Sequence, residues 1–304
     1  MKRIVFLGTS EFAIPSLRAL VDDGRFSVIG AVTQPDRPVG RHAVLTPPPV
    51  KTVALERGIP VFQPEKIKDL KDDATFQSLM DPRPDVFVVV SYGKILLQWF
   101  LDIPTHGIVN VHGSLLPRWR GASPLQAAIL SGDAVTGVTI MKIDADLDHG
   151  PILASKEEPI TSTDTSGSLH DRLAALGGTM LPDILADYLD GRLEPVEQDH
   201  SNATTCKTLT RDDGKIDWTK SAEEIERMVR AYDPWPSTWT LVGVKRLKIL
   251  SARVDVPDTT KTPGELFLRD HKLDMSCGAG TVLELVRVQP EGKKPMSGAT
   301  FVSP

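Results

Sequence analysis

Apolar residues gather in short uninterrupted runs that recur through the first half of the chain, at 4–7, 28–32, 86–90, 108–111 and 138–143. Stretches such as DVFVVVSYG (85–93) carry β-branched residues without polar interruption, as a strand covered on both faces does. Helical spacing appears between them at 15–21, around 50–57 and at 124–130. The alternation predicts an α/β class: a Rossmann-like, mostly parallel open sheet. In DTSGSLHDRLAALGGTMLPDILADYLDG (164–191), Leu169, Leu173, Leu176, Met180, Ile184 and Tyr188 recur at helical spacing and are expected to face the core.

The pattern then dissolves into EPVEQDHSNATTCKTLTRDDG (194–214), a polar stretch that predicts a linker. Ser221 and Glu224 have capping-box spacing and open a helix to about Tyr232. Strand-like runs follow at 238–242, 246–254, 264–268 and 281–288, broken by Gly and Pro. They predict a small OB-like β-barrel. The expected division is 1–203 for the α/β domain and 204–304 for the barrel.

Composition narrows the class. The chain has 304 residues, 40% hydrophobic and 25% charged, which suits about two globular domains. A net charge of −5 argues against coating nucleic acid by bulk charge but leaves room for a local basic face. The two cysteines, Cys206 and Cys277, form no CxxC pair; this fits a reducing compartment and disfavours structural zinc. No apolar run suits a signal peptide or a membrane helix, so a cytoplasmic location with no membrane contact is expected.

The first βα turn, Gly8-Thr9-Ser10-Glu11-Phe12, lacks the glycines of a dinucleotide fingerprint, and no P-loop occurs. Chemistry concentrates instead in NVHGSLLPRWRG (110–121). On a strand, Asn110 and His112 point to one face, beside each other at the carboxyl end where open α/β sheets bind ligands. Alone, such a pair is as well read as two hydrogen-bonded structural residues. Asp148, one helix and one return strand later, is expected at the same sheet edge, holding the imidazole so that it carries a proton. Asn110 and His112 would then stabilise negative charge developing on a carbonyl oxygen. No activated Ser or Cys lies nearby, so the attacking group would come from a second substrate. DADLDHG (144–150) fails as a calcium loop, with His149 at the glycine position and Ser155 at the final acidic position, and no metal is expected.

The stretch 110–153 resembles the catalytic segment of the 10-formyltetrahydrofolate-dependent formyltransferases. TQPDRPVGR (33–41), VVVSYGKILL (88–97), IDW (216–218), DPWP (233–236) and QPEGKKPMS (289–297) extend the likeness over nearly the whole chain. It is greatest with the branch that formylates initiator methionyl-tRNA. The resemblance implies that Asn110, His112 and Asp148 form the catalytic triplet. Ser114, Leu115, Leu116 and Pro117 would form the donor-binding turn. Ser91, Tyr92 and Gly93 would help wall the pterin of the formyl donor, 10-formyltetrahydrofolate. Arg41, on a long loop, would meet the tRNA acceptor end, with Lys207, Lys245, Arg246 and Lys248 as a basic track. Two departures stand out: His42-Ala43-Val44 where relatives often carry lysines, and His149 where they usually carry Thr. A formyltransferase for a small amine (glycinamide ribonucleotide or a nucleotide amino-sugar), a folate-dependent hydrolase and a non-catalytic RNA-binding module remain alternatives. A monomer with no obligate protein partner is expected.

Overall fold

The β-branched runs become strands, and the sheet they form sets the position of the site. The structure is a computed structural model in which residues 1–40, 43–255 and 259–302 are described. The elements run β1 (Lys2–Gly8), α1 (Ile14–Asp22), β2 (Phe26–Val32), β3 (Arg37–Val39), β4 (Val44–Thr46), α2 (Pro49–Glu56), β5 (Val61–Phe62), α3 (Ala74–Leu79), β6 (Val86–Val90), α4 (Gln98–Leu101) and β7 (Ile108–His112). Then come β8 (Arg120–Gly121), α5 (Pro124–Ser131), β9 (Val135–Lys142), β10 (Ile152–Pro159), α6 (Ser166–Leu189) and β11 (Thr205–Cys206). The last elements are α7 (Ala222–Ala231), β12 (Thr238–Val242), β13 (Lys245–Asp255), β14 (Leu266–Arg269), β15 (Lys272–Ser276), β16 (Val282–Pro290), β17 (Met296–Ser297) and α8 (Gly298–Val302).

The chain divides into two compact units. The first comprises Met1–Ala122, Thr136–Pro159 and His170–Cys206, and the second Ser123–Val135, Ile160–Leu169 and Lys207–Pro304. In the first, seven strands form one sheet in the order β10-β9-β7-β6-β1-β2-β5. β5, β2, β1, β6 and β7 are parallel, while β9 is antiparallel to β7. β6 is buried along its whole length, as its unbroken apolar sequence requires. Phe62, Phe76, Phe87 and Phe100 pack with Val5, Leu7 and Tyr92 in one core cluster.

In the second unit, five strands follow the order β12-β13-β16-β15-β14, with β17 against β16, and all these pairs are antiparallel. Register shifts between Ile249 and Ala252 bend β13, the long strand that pairs with both β12 and β16. α7 packs Ile225 and Val229 against Leu247, Ile249, Leu283 and Leu285 of this sheet. Its start is the expected capping box: Ser221 Oγ accepts from the Glu224 N–H at 3.3 Å, and Glu224 Oε2 from the Ser221 N–H at 3.0 Å.

Three expectations need correction. In α6 the buried stripe runs through Leu169, Leu173, Leu181, Leu185 and Leu189, while Leu176, Met180, Ile184 and Tyr188 are only half-buried. Gly177 and Gly178 decide this, because a Cβ on either would stand 2.8 Å from Val111 or Pro15. The helix therefore lies closest to its neighbours on the glycine side. Second, the polar stretch after 194 is not merely a linker: β11 pairs in parallel with β8, and Gln198 is buried. Third, β10 and β15 are strands beyond those expected: the apolar start of ILASKEEP gives way to a polar SKEE run at the sheet edge, and KLDMS is short. Among the described residues no helix is long and apolar enough to cross a membrane.

Candidate active site

Strand alternation does what the sequence implies at β7. Asn110 and His112 lie on one face, 9% and 6% exposed, so each polar group needs a partner. His112 Nε2 lies 3.0 Å from the Trp119 carbonyl oxygen, which can only accept, so Nε2 carries hydrogen. The other ring nitrogen, Nδ1, faces Asp148 Oδ2 at 3.7 Å. Asn110 Nδ2 donates to Asp148 Oδ1 at 3.4 Å. Amide, imidazole and carboxylate therefore converge. Both contacts to the carboxylate are longer than ordinary charge-assisted bonds, so neither the amide nor the ring is tightly committed to it.

Asp148 arrives by a different route from the one expected. Because β9 runs antiparallel to β7, its end, Lys142, stands opposite Val109, at the beginning of β7. The loop after β9 must fold back over the strand face to bring Asp148 to Asn110 and His112. Asp148 adopts a left-handed backbone, φ 47°, as does Trp119 at φ 60°, whose carbonyl holds His112. Such conformations cost about 1–3 kcal/mol each and persist where the surroundings impose them.

Those surroundings include residues that sequence reasoning missed. The Gly121 N–H donates to Asp148 Oδ2 at 2.8 Å. Gln198 Nε2 donates to the carbonyls of Asp148 at 2.9 Å and Gly150 at 2.7 Å, and Gln198 Oε1 accepts from Arg120 at 2.7 Å. A single buried Gln in a polar stretch leaves no periodic signal. Only the pairing of neighbouring Val196 with Ile152, at the start of β10, would have pointed to it.

The turn after β7 is built around Ser114, which is fully buried. Its Oγ donates to the Arg118 carbonyl at 2.6 Å, and its own carbonyl accepts from Thr139 Oγ1 at 2.7 Å. The Leu116 N–H is used by Thr139 Oγ1 at 3.1 Å, which leaves Leu115 and Pro117 as half-buried apolar surface. Ser91, Tyr92 and Gly93 follow β6 directly, with Ser91 and Gly93 exposed at positive φ. Tyr92 turns its ring into the core, where burial pushes its hydroxyl up to about 12. Its carbonyl accepts from Thr9 Oγ1 and Gln34 Nε2. Among the described residues no cluster of three or more His, Cys, Asp or Glu is placed to hold a metal ion.

Comparison with known proteins bears on this arrangement. The Formyl transferase family matches residues 2–185, and the Formyl transferase, C-terminal domain family matches 208–303. The chain belongs to the formyl transferase family. Among relatives, the methionyl-tRNA formyltransferase of Chloroflexus aggregans is 47% identical over 302 residues, 99% of this chain and 96% of that one. That of Marinobacter nauticus is 45% identical over 296 residues, 97% and 94% of the two chains. A solved structure of WlaRD, a sugar 3N-formyl transferase in the presence of dTDP and 5-N-formyl-THF, shares the fold at a TM-score of 0.69. It is 16% identical and the match covers 97% of this chain and 99% of that one.

Within the C-terminal formyl transferase domain, the expected basic residues differ in setting. Lys245 and Arg246 are exposed and Lys248 is half-buried. The Arg246 guanidinium lies over the Trp239 ring, 3.9 Å from its centre, on the outer face of the β12–β13 hairpin. Lys207 is 70% exposed but is engaged with Asp213, so a phosphate would have to share it. Arg41 and His42 lie outside the described residues; the hairpin strands β3 and β4 flank them, with Val39, Val44 and Leu45 exposed.

Proposed function

We propose that this formyltransferase moves the formyl group of 10-formyltetrahydrofolate to the α-amino group of methionyl-tRNA, with no metal. Identity of 45–47% with enzymes of that name, across both of its family regions, carries the reading. The reaction it describes belongs to cytoplasmic translation initiation.

The site's geometry supports a direct transfer. The amine attacks the formyl carbon, and the carbonyl oxygen becomes an anion in the tetrahedral intermediate. Asn110 Nδ2 and the Nδ1–H of a protonated His112, loosely held in the free enzyme, turn to that oxygen. Each such donor is worth about 2.7–4 kcal/mol of barrier. Asp148 keeps the ring oriented and carries the proton that the attacking nitrogen loses toward N10 of the donor as the carbon–nitrogen bond breaks. The atoms balance as an amide formed and an amide cleaved. Leu115, Leu116 and Pro117, with the exposed main chain at Ser91 and Gly93, would hold the donor. Arg41, Lys245, Arg246 and Lys248 would hold the acceptor, with Lys207 joining once it leaves Asp213. In this reading 1–203 is the catalytic domain and 204–304 assists tRNA binding.

An acceptor comparison tests the proposal. Purified protein with 10-formyltetrahydrofolate should formylate methionyl-tRNA, and not glycinamide ribonucleotide or a nucleotide amino-sugar. Formylation of a sugar amine alone would overturn the choice of acceptor.

A further inference from the structure

We infer that Gln198 is a positioning residue for Asp148, its side-chain amide acting as a one-way brace between the buried Arg120 and the loop that carries the acid. This rests on the proposed role of Asp148 in formyl transfer. Gln198 is 5% exposed and Arg120 is 8% exposed, so their polar groups have little water to turn to. Both hydrogens of the Gln198 amide are used on one loop: one on the Asp148 carbonyl at 2.9 Å, the other on the Gly150 carbonyl at 2.7 Å. Its oxygen accepts from Arg120 Nη2 at 2.7 Å and Nε at 3.2 Å.

The amide therefore has one workable orientation. Reversed, its oxygen would face two carbonyl oxygens and its NH₂ would face a guanidinium that can only donate. Arg120 thus fixes which way Gln198 points, and Gln198 fixes the peptide groups on either side of His149. Asp148 gains from this support, because its left-handed backbone carries a cost, smaller for Asp than for most side-chain-bearing residues, that the surroundings must offset.

The far side of the loop is held by the same assembly. Arg120 Nη2 also donates to His200 Nδ1 at 2.8 Å, and the His200 ring stacks on His149, with centroids 4.0 Å apart and planes 3° from parallel. His149 Nδ1 in turn meets Asp144 Oδ2 at 2.7 Å. The loop is therefore gripped at Asp144, Asp148, His149 and Gly150. Gln198 is the only one of these supports that touches the peptide of the acid itself through a neutral donor.

Full-length Gln198→Glu separates this role from packing. It keeps the side chain's size and gives Arg120 a charged acceptor, but a carboxylate cannot donate to the Asp148 and Gly150 carbonyls. With 10-formyltetrahydrofolate and methionyl-tRNA, kcat should fall about a hundredfold, the loss expected of a small misplacement at the reacting centre. KM for both substrates should stay within about twofold, since neither touches Gln198. Gln198→Ala should change in the same direction. A Gln198→Glu enzyme with wild-type kcat overturns the inference. So does equal loss of kcat and substrate binding with lowered melting temperature in both variants, which would make Gln198 a structural residue only. Wild-type turnover is measured first, so failure of the proposed reaction appears there and failure of the brace appears only in the variants. A crystal structure of Gln198→Glu reads the brace without activity: the Asp148 and Gly150 carbonyls should draw away from position 198 and carry the Asp148 carboxylate with them, and an unmoved Asp148 counts against the inference.

Discussion

The backbone N–H of Gly121 donates to Oδ2 of Asp148 at 2.8 Å, and the turn that brings it there requires a glycine. Its φ is 114°, and a Cβ would stand 2.3 Å from the Cys206 carbonyl oxygen on the paired strand β11. The contact to Asp148, the proposed catalytic acid, and a two-stranded ladder thus depend on the same missing side chain. Gly121→Ala should destabilise the protein by about 1–3 kcal/mol for the strained backbone alone, with further cost for the clash. Thermal unfolding checks this, and formyl-transfer rates should fall with it. A variant as stable and as active as the wild type would show that the ladder accommodates a side chain.

Asp148→Asn keeps the shape of the side chain and loses its charge. The Asn oxygen can still accept from Gly121, but its NH₂ then faces the NH₂ of Asn110, two donors with nothing between them. Turnover should drop at least about a hundredfold while the circular dichroism spectrum and melting temperature stay near wild type. A near-normal rate would remove Asp148 from proton movement.

Arg41→Ala should weaken the use of methionyl-tRNA by about tenfold or more, the scale of a lost charge-assisted contact, with donor binding unchanged. Titrating each substrate separately decides it. Equal losses for both would take Arg41 away from the acceptor.

The Lys207–Asp213 pair gives a pH dependence with a defined sign. The hydrogen bond from Lys207, aided by those from Thr210, holds the Asp213 carboxyl down at about 2, against 3.8 for a free one. The unfolded chain therefore binds this proton more readily than the folded one. The pair's contribution is present above pH 3.8 and is lost as pH falls through about 2. Acid unfolding of Asp213→Asn should be flatter than wild type across that window. Identical acid limbs would mean that the pair contributes nothing. If Lys207 meets phosphate, Asp213→Asn should also tighten tRNA binding, because it frees the lysine.

Legibility in the sequence followed the physics of each signal. β-branched runs gave the parallel sheet, and strand alternation put Asn110 and His112 on one face, because both patterns are local. The location of Asp148 over the face of β7 rather than at its tip was not local: it follows from β9 running antiparallel to β7. Gln198 and Gly121 were invisible for the same reason, since their roles arise only when distant segments pair, Val196 with Ile152 and β11 with β8. In α6 the spacing of Leu169, Leu173 and Leu176, continued through Met180, Ile184 and Tyr188, misplaced the buried face in the second half of the helix, because Gly177 and Gly178, which look featureless, set its closest approach.

The most direct measurement is single-turnover formyl transfer by Asn110→Ala at saturating 10-formyltetrahydrofolate and methionyl-tRNA, with both affinities measured in parallel. If Asn110 and His112 together hold an oxyanion that exists only during reaction, both substrates bind as in the wild type. The chemical step is then slower by about 10²–10³. Transfer at the wild-type rate, or a loss explained wholly by weaker binding, would contradict it.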